Sequence, residues 1–205
     1  MPAAPTQAVV FDLGGVLIDW DPRYLFRKFT GDEAGMEWFL AEVCSPAWNA
    51  EQDAGRTWAE AVEEATARHP DHAAWIRAYA ERWPEMIRGD VPGSVAILQE
   101  LAARGVPLYA LTNWSHETFH HARARFAWLE HFRDILVSGY VGMKKPDPRI
   151  FRLMLQRMGV EPAAVVFIDD ATVNVEGARA EGMRAVHFTS PGALRAAPEL
   201  APLLT

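Results

Sequence analysis

The chain has 205 residues, half of them hydrophobic and 23% charged. That mix excludes a fibre or a disordered segment and leaves room for one domain, or one domain carrying a smaller insert. A formal charge of −7 offers no electrostatic footprint for nucleic acid, and the single cysteine, Cys44, excludes an internal disulfide and points to a reducing compartment such as cytoplasm.

The first fifteen residues, MPAAPTQAVVFDLGG, place no Lys or Arg ahead of an apolar stretch, so they do not read as a secretory signal. No apolar run approaches the roughly 18–20 residues that span a bilayer, so no membrane partner is expected and a cytoplasmic protein is. Residues 8–12, AVVFD, form a short apolar run closed by Asp12 and Gly14-Gly15, the pattern of a buried strand ending in a tight turn. From Asp19 to about Arg88 the spacing of apolar residues turns helical, as in EAGMEWFLAEV and WAEAVEEATARH. Punctuation at Gly31, Pro46, Gly55 and Pro70-Asp71 divides this stretch into about four helices. Six of the eight tryptophans (Trp20, Trp38, Trp48, Trp58, Trp75 and Trp83) lie before residue 91.

After Val91-Pro92 strands and helices alternate. SVAILQELAARG reads as a helix ended by Gly105, VPLYALTN as a strand, and SHETFHHARARF as a helix capped by Ser115. DILVSG is a strand, DPRIFRLMLQRMG a helix with Pro148 near its start and Gly159 after it, AVVFIDD a strand, VNVEGARAEG a helix and MRAVHF a last strand. Alternation of this kind predicts an α/β fold, a doubly wound parallel sheet of Rossmann-like form. The helical stretch interrupts it after the first strand. The expected division is a core of residues 1–18 and 91–205 with an all-helical insert at 19–90, joined near Ile18–Asp21 and Arg88–Pro92.

Ligands of open α/β sheets bind beyond the carboxyl ends of the strands. Four such ends carry polar chemistry: Asp12, Thr112-Asn113, Lys145, and Asp169-Asp170. Clustered carboxylates repel unless a cation neutralises them, which implies a hard, oxygen-liganded metal such as Mg²⁺. A metal and a lysine beside a carboxylate and a hydroxyl suit a transferring phosphoryl group, with Asp12 attacking phosphorus.

The ordered segments VVFDLGGVLID, YALTN, VGMKKPDPRIF and VVFIDDATVNVEGA resemble the four motifs of the haloacid dehalogenase superfamily, and the helical insert is similar to that family's small cap. Within it, the chain looks like the group containing α-D-glucose-1-phosphate phosphatase and the phosphatase domain of soluble epoxide hydrolase. The resemblance implies that Asp12 is a nucleophile forming an aspartyl intermediate, and that Thr112 and Asn113 hold phosphoryl oxygens. Lys145 would pair with Asp12 and the phosphate, with Lys144 a solvated neighbour. Asp12, the Gly14 carbonyl and Asp170 would ligate Mg²⁺, Asp169 would lie in or just outside that set, and Asn174 would orient a metal-bound water. The substrate implied is a small phosphorylated metabolite, such as a sugar phosphate.

One position departs from the family's phosphatases, which carry a second aspartate two residues after the nucleophile where this chain has Gly14. A backbone carbonyl can still bind metal there, but the general acid–base carboxyl is missing, and such help is typically worth about 10²–10⁴-fold. The family's metal-independent 2-haloacid dehalogenases also lack that aspartate, because halide leaves without a proton. Against them stand the Asp169-Asp170 pair and a first motif that reads Leu13-Gly14-Gly15-Val16. A non-catalytic binding member of the fold is a third reading. In the insert, Asp19 and Asp21 are expected to cap the first helix, Trp20 to reach the pocket, Arg56 to meet either a substrate anion or a surface partner, and most tryptophans to form its core. His116, His120 and His121 are expected on a solvated helix face rather than on zinc.

Overall fold

The computed structural model describes residues 5–204; residues 1–4, part of the stretch read above for a leader, lie outside the described residues. Strand β1 (Ala8–Phe11) is buried throughout. Its alternating side chains enter two cores, Val9 and Phe11 on one face of the sheet and Ala8 and Val10 on the other. A strand covered on both faces is why the sequence reads as an uninterrupted apolar run.

Strands β2 (Ile18–Trp20) and β3 (Ile87–Asp90) are the two connections between the sheet and the helical segment. They pair with each other as an antiparallel ribbon, Ile18 opposite Asp90 and Trp20 opposite Ile87, with an irregularity between Asp19 and Trp20. Arg125 fixes one rail of the ribbon by donating to the carbonyls of Ile87 (2.9 Å) and Arg88 (2.7 Å). The indole of Trp128 adds a bond to the Asp90 carboxylate (2.9 Å).

Between them run α1 (Arg23–Phe26), α2 (Glu33–Trp38), α3 (Pro46–Asp53), α4 (Trp58–Arg68) and α5 (Ala73–Glu81), with a π-helical turn continuing α2 through Val43. Local chemistry sets their starts. The Ser45 hydroxyl caps α3 with Pro46 in its first turn, and Thr57 and Glu60 form a reciprocal capping box on α4. Aromatic packing joins them: Trp48, Trp58 and Tyr79 meet with ring centroids 5.3–5.7 Å apart, and Phe26, Phe39 and Trp75 at 5.0–5.8 Å. This apolar cluster is continuous with the one on the Val9–Phe11 face of the sheet.

The chain then alternates as predicted: α6 (Pro92–Ala103), β4 (Leu108–Thr112), α7 (Phe119–Arg125), β5 (Asp134–Val137), α8 (Ser138–Val141), α9 (Pro148–Met158), β6 (Val165–Asp169), α10 (Thr172–Ala180) and β7 (Arg184–His187). The five main strands are parallel in the order β5-β4-β1-β6-β7. The chain leaves β1 for β4 on one side and reaches β6 on the other, so the crevice of a doubly wound sheet opens above β1.

Helix α7 begins later than its sequence suggests. Ser115 accepts from the Glu117 amide (3.2 Å) in a turn ahead of the helix, and the helix itself starts at Phe119 without a side-chain cap. Among the described residues no helix is long and apolar enough to cross a membrane.

Candidate active site

Asp12 follows β1 directly, and its amide extends the pairing with β6 by donating to the Ile168 carbonyl (2.8 Å). Its Oδ1 accepts from the Leu13 amide (2.7 Å) and lies 3.0 Å from Lys145 Nζ. The same ammonium donates to Asp169 Oδ2 at 2.6 Å, and both of those side chains are fully buried. The remaining acceptor capacity of Asp169 is filled by the Ala171 amide (2.9 Å) and by Asn174 Nδ2, at 3.0 and 3.2 Å from its two oxygens. Asn174 thus steadies a carboxylate directly. Asp170 stands at the exposed rim, its backbone carbonyl paired with His187 Nε2 (2.9 Å).

One oxygen from each of Asp12, Asp169 and Asp170 lies within 4.8 Å of the others. Three carboxylates face one ammonium, and the imbalance is felt. Burial, opposed by Lys145 and reinforced by Asp169 and Asp170, raises the Asp12 carboxyl to about 7, and burial with Asp169 raises Asp170. Lys145 is held above its ordinary value, because Asp12 and Asp169 together outweigh the burial that opposes its charge. An all-oxygen donor set with surplus negative charge fits a hard divalent cation such as Mg²⁺.

The loop that delivers Lys145 is clamped to the end of β4. The Asn113 side chain donates to the Lys145 carbonyl (3.0 Å) and accepts from its amide (2.8 Å), while Thr112 sits buried on β4 beside β1. The Asn113 side chain is therefore committed to positioning, which leaves its backbone amide for a ligand. Lys144 departs from the expectation of a solvated neighbour. It donates to the Ala50 carbonyl (3.0 Å) and lies 3.5 Å from Glu51, tying the loop to α3.

Gly15 adopts φ +74°, and a Cβ there would come within 2.3 Å of Asp170 Oδ2. Gly15→Ala should therefore displace Asp170, raising the Mg²⁺ concentration for half-maximal activity about 10–100-fold, as loss of metal-site support typically does. A metal titration of activity checks this. Gly14 differs, since a Cβ at that position meets nothing within 4 Å.

Gly14 lines a cleft with Trp20, Trp83, Trp114, Asn113 and, from α3, Asn49 and Asp53. The indoles pack in series, Trp20 stacked on Trp83 (6.4 Å) and Trp83 tilted against Trp114 (5.1 Å), and buried Trp20 Nε1 has no partner among the described residues. Asp53 accepts from Asn49 Nδ2 (3.2 Å). Burial, opposed by Lys144, Lys145 and the Ser115 amide, raises its carboxyl to about 7.

Arg56 does not reach this cleft. It bonds Glu64 (2.6 Å), Gln52 (2.7 Å) and the Trp48 carbonyl (3.2 Å) within the helical segment. Asp21 accepts from the Arg23 amide (2.9 Å) at the start of α1, whereas Asp19 takes the Tyr24 hydroxyl (2.8 Å). Two of the three histidines are less solvated than expected: His116 packs on Tyr140 and His121 on Trp83, while His120 is exposed. Asp53, Asn49 and Trp114 went unnoticed in the sequence, and Trp83 counted only among the insert's tryptophans. Asp53 alone carried a signal, being a carboxylate in the last turn of a helix, where the dipole disfavours negative charge.

A doubly wound sheet whose β1 ends in a buried aspartate, salt-bridged to a lysine shared with a second aspartate, defines a hydrolase of the Asp-centred α/β type. The chain belongs to the haloacid dehalogenase-like hydrolases, whose family model matches residues 6–182. Sesquiterpene phosphatase astK of Aspergillus oryzae is 26% identical over 89% of this chain and 90% of its own length. Fructose-1-phosphate phosphatase YqaB of Escherichia coli is 28% identical over 87% and 94%. A HAD family enzyme of Bacteroides thetaiotaomicron, solved with magnesium and inorganic phosphate, superposes with a TM-score of 0.67 at 23% identity, covering 90% and 95% of the two chains. L-2-haloacid dehalogenase of Xanthobacter autotrophicus superposes at 0.65 with 20% identity, over 96% and 83%.

Proposed function

We propose that this hydrolase is a Mg²⁺-dependent phosphatase of small phosphorylated metabolites, with sugar phosphates as the favoured substrate class. The observation that carries the reading is Lys145, buried between Asp12 and Asp169 with Asp170 at the rim. The phosphatase relatives and the magnesium–phosphate complex of a HAD structure support it. Residues 1–18 and 91–205 act as the catalytic core, and residues 19–90 as a cap over it.

Asp12 Oδ1 is engaged by the Leu13 amide and Lys145, which leaves Oδ2 as the atom that attacks phosphorus. Lys145 favours the ionised form of Asp12 against its burial and offsets charge on the transferring group. The Thr112 hydroxyl and Asn113 backbone amide hold phosphoryl oxygens. Asn174 and the Ala171 amide hold Asp169 against Lys145, fixing the ammonium's direction. Asp12, Asp170 and the Gly14 carbonyl would hold Mg²⁺ with Asp169 beside them, and the ion supplies charge neutralisation on the phosphoryl oxygens. Water then hydrolyses the aspartyl phosphate. The tryptophan wall suits a sugar face, and the polar groups of Asn49 and Asp53 suit its hydroxyls.

The missing carboxyl at Gly14 favours a second reading, metal-independent dehalogenation of 2-haloacids; binding without catalysis is the third. A panel of sugar phosphates, other phosphomonoesters and 2-chloropropionate separates them. The phosphatase releases phosphate from the first group with Mg²⁺ and no chloride from the last. Chloride release would establish the dehalogenase, and an inert protein the binding member.

A further inference from the structure

The site has a nucleophile, an ammonium and metal-binding carboxylates, yet nothing at Gly14 to protonate a leaving group. An alkoxide expelled without a proton is a poor leaving group, so the cleft either accepts slow turnover or carries the acid elsewhere. Most polar side chains bordering Gly14 are unfit for that role. Asn113 is held by the Lys145 backbone, Asn49 cannot exchange a proton near neutrality, and the indoles do not titrate. One ionisable group remains.

We propose that Asp53, presented by α3 from the cap side of the cleft, is the general acid and base of this site and stands in for the carboxyl that Gly14 lacks. The proposal rests on the phosphatase reading above. Asp53 lines the same cleft as Gly14, and its Oδ2 is oriented by Asn49 Nδ2, which is held in turn by the Tyr79 hydroxyl on Asn49 Oδ1 (3.3 Å). That chain is the support expected behind a proton-transfer group. The titratable groups facing Asp53 are Lys144 and Lys145 from the loop before α9 and the Tyr79 phenol of α5. Glu117, on the turn that brings the Ser115 amide to Asp53, directs its carboxylate instead to the Trp58 amide (2.6 Å). Burial and the helix C-terminus disfavour the ionised form, and the two lysines restrain the shift. The carboxyl is left near 7, where it can both give and take a proton.

The chemistry balances. Asp12 Oδ2 forms the bond to phosphorus as the ester P–O bond breaks, and the departing alkoxide takes the Asp53 proton and leaves as the alcohol. The Asp53 carboxylate then accepts a proton from the water that attacks the aspartyl phosphate. The P–O bond to Asp12 breaks, inorganic phosphate leaves, and both side chains return to their starting states.

Asp53→Asn preserves size and an acceptor for Asn49 but cannot transfer a proton. With Mg²⁺ present, it should lower kcat/KM for an alkyl phosphate about 10²-fold or more, and for p-nitrophenyl phosphate, whose leaving group needs no proton, less than about 10-fold. Gly14→Asp, for which there is open space, should restore most of the alkyl-phosphate rate in the Asp53→Asn background. A structural role for Asp53 predicts an equal loss on both substrates and no rescue, and that result overturns the assignment while leaving the phosphatase reading intact. A parent enzyme inert toward both esters overturns the phosphatase reading and the Asp53 assignment with it.

Discussion

Asp12→Asn is expected to cut phosphate release by about 10⁴-fold or more, in line with removal of a nucleophile elsewhere, without lowering the melting temperature of the metal-free protein. The second half of that expectation is the more discriminating. The Asp12 carboxylate is buried beside Asp169 and Asp170, and the protein holds it against its own preference for the neutral form. An asparagine keeps an oxygen for the Leu13 amide and removes one of three mutually repelling charges; the ion pair it gives up is weaker than the burial cost of the Asp12 charge, and Lys145 keeps Asp169 as its partner. Rate measurements paired with thermal melts in EDTA check both halves. A marked fall in melting temperature would mean that Asp12 is held for stability rather than chemistry.

Lys145→Met should behave in the opposite way, losing activity and stability together. Its side chain is wholly buried between two carboxylates at 3.0 and 2.6 Å. Taking one partner from a buried ionic cluster costs about 3–5 kcal/mol. At about 2–4 °C per kcal/mol for a chain of this size, the melting temperature falls by roughly 10 °C. The sign of the pH dependence follows from which form is then tolerated. Without the ammonium the Asp12 carboxyl rises further, so below its value it is protonated and the penalty shrinks, while above it two bare carboxylates remain. The deficit should be smaller at pH 5–6 than at pH 8, and Mg²⁺ should recover part of it by neutralising the same oxygens. Melts of parent and variant across that range, with and without Mg²⁺, are the measurement.

These residues were legible because each lies where local sequence decides position. AVVFD and VVFIDD are apolar runs that can only be interior strands, so their terminal aspartates must emerge at one edge of the sheet. Pro148 and Gly159 bound α9 through chemistry internal to that helix, Asp147 accepting from the Arg149 amide and Gly159 taking the left-handed conformation. What stayed hidden depends on partners far along the chain. IDW and IRGD are too short to show a period, and they become strands only because each supplies the other's ladder. Ser115 has the residue type of a helix cap, but it closes a turn that holds Glu117 against the Trp58 amide. Lys144 and Lys145 are adjacent and chemically alike. One is buried among carboxylates and the other tied to the Ala50 carbonyl of α3, a difference made by how the loop before α9 turns between them and by where α3 packs. Asp53 is the strongest case, since only the tertiary fold brings the end of α3 over Gly14.

The same dependence explains the tryptophans. Trp48, Trp58 and Trp75 form the interior of the helical segment, as expected of large rings in a thin layer, and Trp38 lies exposed against His72. Trp20, at the end of β2, and Trp83, at the start of the 3₁₀ turn that runs into β3, instead line the cleft, where Trp114 of the core completes the wall. Trp20 lies in one strand of the ribbon and Trp83 one short turn ahead of the other, so the connection between the two parts of the molecule also shapes the site.

The most direct test of metal-assisted phosphoryl transfer at Asp12 is turnover of p-nitrophenyl phosphate by one enzyme preparation, assayed with Mg²⁺, after EDTA, and after Mg²⁺ is restored. Phosphate release that disappears with the chelator and returns with the ion is the predicted result. Release that continues undiminished in EDTA would contradict it.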